Sequence, residues 1–317
     1  MTLKDKILRE FLQHPEQTLS GQTLSEQHQV SRTAIWKAIQ SLKKEGYVIE
    51  SNPNKGYQLI EDIDQLDSTH LQMYLKDVPL YVFEEIDSTN NFAKKIAIDG
   101  AKDGTLIVAN HQSAGRGRQG HSFYSPADTG LYMTILLRPK GSLAELLQIT
   151  LAAGVATCHA IHEVCDIDCQ IKWVNDLFIG KKKICGILTE ATTDFESQQI
   201  DSILVGIGIN CKPSNFPKEI QDIAGSLNQE KINRNQLAAS IYKHFMIWKD
   251  NLHTDELLKE YKKLSLLLGK QVIYEMNHVK KQGLAYDINK QGNLVIRDEH
   301  GKQIIVQSGE VSVKDWD

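Results

Sequence analysis

A chain of 317 residues is long enough for two or three domains with full cores. A hydrophobic share of 41% and a charged share of 24% exclude a disordered or fibrous chain, and a net charge of -4 confines any nucleic-acid surface to a local patch. No apolar run reaches membrane-spanning length, and Met1-Thr2-Leu3-Lys4-Asp5-Lys6 lacks a signal peptide's apolar stretch, so a cytoplasmic protein without membrane association is expected.

The first segment reads as helices followed by a hairpin. Leu3, Ile7, Leu8, Phe11 and Leu12 recur at helical spacing. Ser20 is placed to cap a short helix, Gly21 to Gln27, and Ser31 to cap a second whose buried stripe is Ile35, Ala38, Ile39 and Leu42. The opposite face of that second helix carries Thr33, Trp36, Lys37, Gln40 and Lys44, groups suited to base edges and phosphates. Four bases (Arg32, Lys37, Lys43, Lys44) stand against Glu45 alone between residues 31 and 47. Tyr47 to Glu50 and Tyr57 to Ile60, around a turn from Ser51 to Gly56, make a wing. A winged helix-turn-helix over residues 1–61 is expected, with Ser31, Arg32, Thr33, Trp36, Lys37, Gln40 and Lys44 facing DNA.

The boundary falls in a short helical stretch between Glu61 and Asp77. Beyond Pro79, strands and helices mix without regular βαβ alternation, which predicts an α+β domain over residues 62–266. Tyr81 to Ile86 reads as a strand and leads into Asp87-Ser88-Thr89-Asn90, where Ser88 or Thr89 serves as a helix cap. Thr105 to Asn110 and Leu131 to Leu137 are strands flanking Gly115-Arg116-Gly117-Arg118-Gln119-Gly120. That loop matches G-x-G-x-x-G, but no helix can start at His121-Ser122-Phe123-Tyr124-Ser125-Pro126, so a dinucleotide fold is excluded. What remains is a mobile, glycine-flanked pair of guanidiniums able to close over an anionic ligand.

A helix from Leu143 to about Val164 precedes Ile171 to Ile179, and the turn Gly180-Lys181-Lys182 reverses the chain. Lys183 then begins an apolar strand, a position that aims an ammonium at an anion. In the strand Ile203 to Asn210, Gly206 and Gly208 share one face, as close ligand approach requires. The five cysteines (Cys158, Cys165, Cys169, Cys185, Cys211) lack metal-ligand spacing and read as reduced, packed thiols. From Gly269, strands at Gln271 to Tyr274, Lys281 to Ile288, Asn293 to Arg297 and Lys302 to Val306 predict a small SH3-like β-barrel over residues 267–317.

With these motifs in order, the chain resembles the bifunctional biotin–protein ligase/biotin-operon repressor family along essentially its whole length. The resemblance rests on Asp87-Ser88-Thr89-Asn90, Gln112, Gly115 to Gly120, Lys172-Trp173-Val174-Asn175-Asp176, Lys183 with Gly186, and Gly206 to Asn210. It implies adenylation of biotin by ATP and Mg2+, then transfer to a lysine of a biotin carboxyl-carrier domain. By that resemblance Ser88, Thr89, Asn90, Gln112, Arg116, Gly117, Arg118, Lys183 and Gly186 line the biotin site. Arg118, Phe123, Lys172, Trp173, Asn175, Asp176 and Asn210 face the nucleotide, Asp176 also the metal, and Lys183, Arg118 and Arg116 act on the developing charge. Residues after Asn210 would form a loop around adenine. Biotinyl-5'-AMP would serve as intermediate and corepressor, driving a homodimer onto operator DNA. Val174 stands where the family commonly has proline, Phe123 where tryptophan is common, and Gln119 and His121 replace usual bases. A lipoate ligase and a non-catalytic, ligand-sensing repressor are the rival readings. The arginine loop, the winged helix and the intact Lys183 speak against them.

Overall fold

Capping chemistry starts the chain. The computed structural model describes all residues except 1, 15–16, 53–54, 62, 140–144, 194–199, 213–214, 277–278 and 315–317. In it, Thr2 Oγ1 accepts from Asp5 N–H while Asp5 Oδ2 accepts from Thr2 N–H (2.8 Å), a reciprocal box that begins α1, Leu3–Gln13. Ser20 accepts from Gln22 N–H at the head of α2, Gly21–Gln27, and Ser31 from Ala34 N–H at the head of α3, Arg32–Lys44. Their apolar stripes meet in one core, where Ile7, Phe11, Leu24, Ile39 and Leu42 are buried. The antiparallel pair β1, Val48–Asn52, and β2, Gly56–Glu61, forms the wing. Pro53 and Asn54 at its tip lie outside the described residues. Asp67 then caps α4, Ser68–Tyr74, by accepting from His70 N–H (2.9 Å). This body extends to Asp77, and a second runs from Val78 to Asp317.

The second body is built on a seven-stranded sheet. Its strands are β3, Leu80–Ile86; β4, Thr105–Gln112; β5, Gly130–Leu137; β6, Gln170–Lys172; β7, Asp176–Ile179; β8, Lys182–Thr193; and β9, Ile200–Asn210. The spatial order is β3-β4-β5-β9-β8-β7-β6. Among the described residues only β3 and β4 pair in parallel, with α5, Thr89–Ile98, as their connection; the other strand pairs of this sheet are antiparallel. This is the mixed α+β arrangement expected from the lack of alternation. Along β9 the even-numbered Leu204 joins α5's Ala93, Ile96 and Ala97, so α5 covers that face. On the reverse face, Thr189 Oγ1 of β8 is bonded to Thr150 Oγ1 of α6, Glu145–Cys165 (2.8 Å). That helix is apolar nearly all round and correspondingly buried between the sheet and α7, Arg234–Lys249. The helix was expected from Leu143, but 143–144 lie outside the described residues.

Arg234, the first residue of α7, has no exposure and donates from Nη1 to Asn110 Oδ1 (2.8 Å) and Gly130 O (2.9 Å). It ties the end of β4 to the start of β5, which fixes both ends of the loop between them. All five cysteines are free thiols; four are buried and Cys165 is half-buried. Burial pushes the Cys165 thiol up to about 11, which keeps it protonated near neutrality.

After α8, Asp255–Lys263, come β10, Gln271–Met276; β11, Val279–Ile288; β12, Leu294–Arg297; β13, Gln303–Val306; and β14, Val311–Val313. They form one antiparallel sheet in the order β13-β12-β11-β10-β14. Among the described residues these pairings form an open series, compatible with a barrel but not closed by hydrogen bonds. Trp173 Nε1 donates to Gly292 O (2.9 Å), fastening this sheet to the chain beside β6.

Candidate active site

A cavity of about 450 Å3 opens on the face of the large sheet where β9 carries no side chains. The register pairs Gly186 of β8 with Gly208 of β9 and sets Leu188 opposite Gly206. A Cβ on Gly208 would stand 2.6 Å from the Phe123 ring, and one on Gly206 would stand 2.4 Å from Asn90 Oδ1. Both glycines expected to face a ligand therefore do line the cavity, and Gly186 completes the bare floor. Phe123 rests on it and meets Tyr132 edge-on, with centroids 6.4 Å apart.

One wall is the start of α5. Ser88 occupies the N-cap position but makes no cap hydrogen bond, which corrects the capping role considered for it. Its buried hydroxyl instead borders the cavity with Thr89 and Asn90. Thr89 N–H donates to Gln112 Oε1 (2.9 Å), joining that helix N-terminus to the end of β4. Neutral donors and acceptors line this end, with Leu188 and Met133 beside them.

The other end is ionic. Lys183 Nζ lies 2.8 Å from Asp176 Oδ1, across adjacent strands β8 and β7. Asn175 Nδ2 donates to Asp176 Oδ1 (3.1 Å) and to Ile187 O (2.8 Å), so the amide orients the carboxylate. The peptide between Trp173 and Val174 is cis. Tyr261 OH donates to Val174 O (3.1 Å), and Val174 is buried. Lys172 Nζ sits 5.7 Å from the centroid of Phe178, and Asn210 Nδ2 donates to Gly225 O (2.8 Å).

The loop from Gly115 to Gly120 carries two backbone hydrogen bonds in this structure. Phe123 N–H donates to Gly115 O (2.9 Å) and Gly117 N–H to His121 O (2.7 Å). Gly115 is required by contact rather than freedom, since a Cβ there would stand 2.4 Å from Phe123 O. Arg118 Nη1 donates to Asn175 Oδ1 (2.9 Å), which puts its guanidinium beside the Lys183–Asp176 pair. Arg116 points elsewhere. Its Nη1 donates to Asn91 Oδ1 (3.0 Å) and its Nη2 lies 3.4 Å from Glu190 Oε1, so it braces the loop and does not face the ionic end.

The stretch after Asn210 was implied by the resemblance, whereas Gly309 to Val311 and Glu190 had no sequence signal beyond ordinary side chains. Phe216, Ile220, Ile223 and Ala224 line the cavity because Lys183 N–H donates to Ile223 O (2.8 Å) and Gly225 N–H to Lys183 O (2.8 Å). Gly309, Glu310 and Val311 arrive from the small sheet, far along the chain. Glu190 lies behind Asn90 and binds Lys94 Nζ (2.7 Å). Its burial opposes ionisation, but hydrogen bonds from Lys94 and Asn90 and the charges of Lys94 and Arg116 hold its carboxyl below the usual range. Among the described residues, no group of three or more His, Cys, Asp or Glu could hold a metal by itself.

In the N-terminal body, Ser31, Arg32, Thr33, Trp36, Lys37 and Lys44 are exposed and Gln40 is half-buried. Trp36, half exposed, stands out from a helix whose other face is core. Arg32 Nη2 donates to Gln22 Oε1, linking the two helices of the motif.

Comparison with known proteins bears on each part. The chain matches the Biotin/lipoate A/B protein ligase family over residues 82–210, an HTH domain over 4–58, and the Biotin protein ligase C terminal domain over 267–314. It is 37% identical over 275 residues to the bifunctional ligase/repressor BirA of Bacillus subtilis, covering 84% of this chain and 83% of that protein. It is 28% identical to the BirA of Escherichia coli, covering 88% of each. Among solved structures, the biotin protein ligase of Aquifex aeolicus in complex with biotin and ATP superposes with a TM-score of 0.62 at 28% identity, covering 74% of this chain and 98% of that one.

The glycine floor makes a direct prediction. Gly208→Ala should collide with Phe123 and cost about 1–3 kcal/mol of stability. The same substitution in a Phe123→Ala background should cost much less, as read by denaturant unfolding of the double-mutant cycle. Equal costs in both backgrounds would place the ring elsewhere in solution.

Proposed function

We infer the reaction from a plain premise: the chain belongs to the BirA family of bifunctional ligase/repressors. The proposed substrates are ATP and biotin, and the proposed acceptor is one lysine of a biotin carboxyl-carrier domain. The observation that carries the reading is a single cavity with an uncharged hydrogen-bonding end at Thr89 and Gln112, a floor without side chains, and an ionic end at Lys183 and Asp176.

In the proposed first step a biotin carboxylate oxygen attacks the α-phosphorus of ATP and pyrophosphate leaves. Negative charge grows on the phosphate oxygens, where the Lys183 ammonium and the Arg118 guanidinium, already oriented by Asp176 and Asn175, stabilise it. Phe123 and the nearby Phe216 and Ile223 offer apolar surface for the adenine. In the second step the carrier lysine's amine attacks the acyl carbon and AMP departs. The glycine-arginine loop, ordered over the adenylate, keeps water from that acyl-phosphate bond. Mg2+ usually takes one or two carboxylates and completes its shell with phosphates and water. Asp176 is the residue that would hold it, and the bound ion would add positive charge at the phosphates. One carboxylate beside the ionic end fits that mode.

We assign DNA binding to residues 1–61, catalysis to 62–266 and the small sheet to 267–317. Exposed Thr33, Trp36, Lys37 and Lys44 on α3, with Ser31 and Arg32 at its head and Gln40 beside them, suit phosphates and base edges of operator DNA. One winged helix makes few phosphate contacts, so two copies on a palindrome are needed for tight binding. Biotinyl-5'-AMP is the proposed corepressor, because the loop ordering it enforces lowers the entropy cost of dimerisation.

Purified protein given ATP, Mg2+ and biotin should label one lysine of a carrier domain, read by intact mass, and should not do so with lipoate. Labelling by lipoate instead would overturn the substrate assignment. In sedimentation, the adenylate should tighten self-association by about 5–150-fold, biotin less so, with operator affinity rising in step. An association constant indifferent to ligand would break the proposed link between the two activities.

A further inference from the structure

The connection between β6 and β7 carries the groups that orient the ionic end, and one buried hydroxyl holds it from outside the cavity. We propose that Tyr261 of α8 is a positioning residue for adenylate formation, acting through the Val174 carbonyl on Asn175 and Asp176. This rests on the ligase reading above.

β6 ends at Lys172 and β7 begins at Asp176, so Trp173, Val174 and Asn175 make the whole connection. Each peptide unit is planar, so pinning its oxygen orients the entire plane. The plane before the Asn175 Cα is pinned by Tyr261 OH, which donates to Val174 O (3.1 Å). The plane after it is pinned from β8, where Ile187 N–H donates to Asn175 O (2.9 Å). Planes fixed on both sides leave the Asn175 backbone little freedom, and so set the direction of its side chain. That side chain donates to Asp176 Oδ1 (3.1 Å) and accepts from Arg118 Nη1 (2.9 Å). Asp176 Oδ1 in turn lies 2.8 Å from Lys183 Nζ. A hydroxyl that does not line the cavity therefore bears on both cations of the ionic end.

The hydroxyl is itself firmly placed. Tyr261 has no exposure, and burial pushes its phenol well above the ordinary value, so it remains a donor through the physiological range. Just past α8, Ile171 N–H donates to Leu264 O and Leu266 N–H to Ile171 O (2.8 Å each), which stitches that end of the helix to β6. Glu260 Oε1, from the residue before Tyr261, lies 3.1 Å from His159 Nε2 on α6. Gly154 of α6 leaves room for this contact. A Cβ there would stand 3.2 Å from Ile171 Cδ1 and 3.8 Å from Tyr261 Cε2. Glycine weakens the middle of a helix, and here it lets β6 and the tyrosine ring pack close.

Without the hydroxyl, the carbonyl of buried Val174 loses that donor. A buried carbonyl left unpaired is costly, so its peptide plane tilts toward another donor and carries Asn175 with it. Small displacements of groups that act on a transition state lower the rate more than they lower ligand binding.

The test is biotin-dependent exchange of labelled pyrophosphate into ATP, with kcat and both KM values measured for wild type, Tyr261→Phe and Tyr242→Phe. Tyr242 is a matched control, because its hydroxyl donates to the buried Gly104 O (2.9 Å) and neither residue lines the cavity. Each substitution takes one hydroxyl from one buried carbonyl, so denaturant unfolding should show similar losses of stability. Tyr261→Phe should lower kcat about tenfold, with KM for biotin and for ATP within about twofold of wild type. Tyr242→Phe should leave all three unchanged. An unchanged kcat in folded Tyr261→Phe would overturn the proposal. So would an equal fall of kcat in the two variants, which marks a general structural effect, or a raised KM that accounts for the whole loss. A wild type that shows no biotin-dependent exchange would overturn the ligase reading, and this proposal with it, before any variant is measured.

Discussion

The register of β8 on β9 is the constraint from which the site follows. Pairing Gly186 with Gly208 and Leu188 with Gly206 clears side chains from one patch of an otherwise packed sheet. A slip of one residue would turn the opposite face of β8 to the cavity, with Ile187 in place of the glycine, and fill the gap. Phe123 lies on the cleared patch, Asn90 approaches through Gly206, and Lys183 reaches Asp176 on the neighbouring strand. The glycines weaken these strands locally. The long apolar helix on the reverse face and the antiparallel neighbours on both sides offset that loss.

Electrostatics follow the same geometry. The cavity has one neutral end and one ionic end, and each is oriented from behind by a carboxylate. Asp176 holds Lys183 in place, and Glu190 holds Asn90, Lys94 and Arg116. The two arginines of the glycine loop thereby take different tasks: Arg118 joins the ionic end through Asn175, while Arg116 fastens the loop to α5 and β8.

Much of this was legible in the sequence. Period-two spacing put Gly206 and Gly208 on one face, and helical spacing together with Ser20 and Ser31 defined the N-terminal helices and their core. The failure of G-x-G-x-x-G to lead into a helix correctly removed the dinucleotide fold. What escaped depended on register or on distance along the chain. The resemblance named Gly186, but its part in the bare floor shows only opposite Gly208. Glu190 and the fully buried Arg234 look like ordinary charged residues until their partners Asn90, Asn110 and Gly130 are known. Gly309 to Val311 reach the cavity across more than a hundred residues of chain, and no local pattern announces that. The loop glycines were readable as freedom, yet Gly115 is needed for contact, which composition cannot distinguish.

In the proposed reaction the ionic end of this cavity carries the chemistry and the neutral end carries recognition. Exchange of labelled pyrophosphate into ATP, with biotin present and no acceptor, isolates the first step. In wild type it should require biotin. In Lys183→Ala it should fall by roughly two orders of magnitude, about 3 kcal/mol of lost transition-state stabilisation, while biotin affinity changes by less than about threefold. Exchange at near wild-type rate in Lys183→Ala, or a loss of biotin binding equal to the loss of rate, would contradict it.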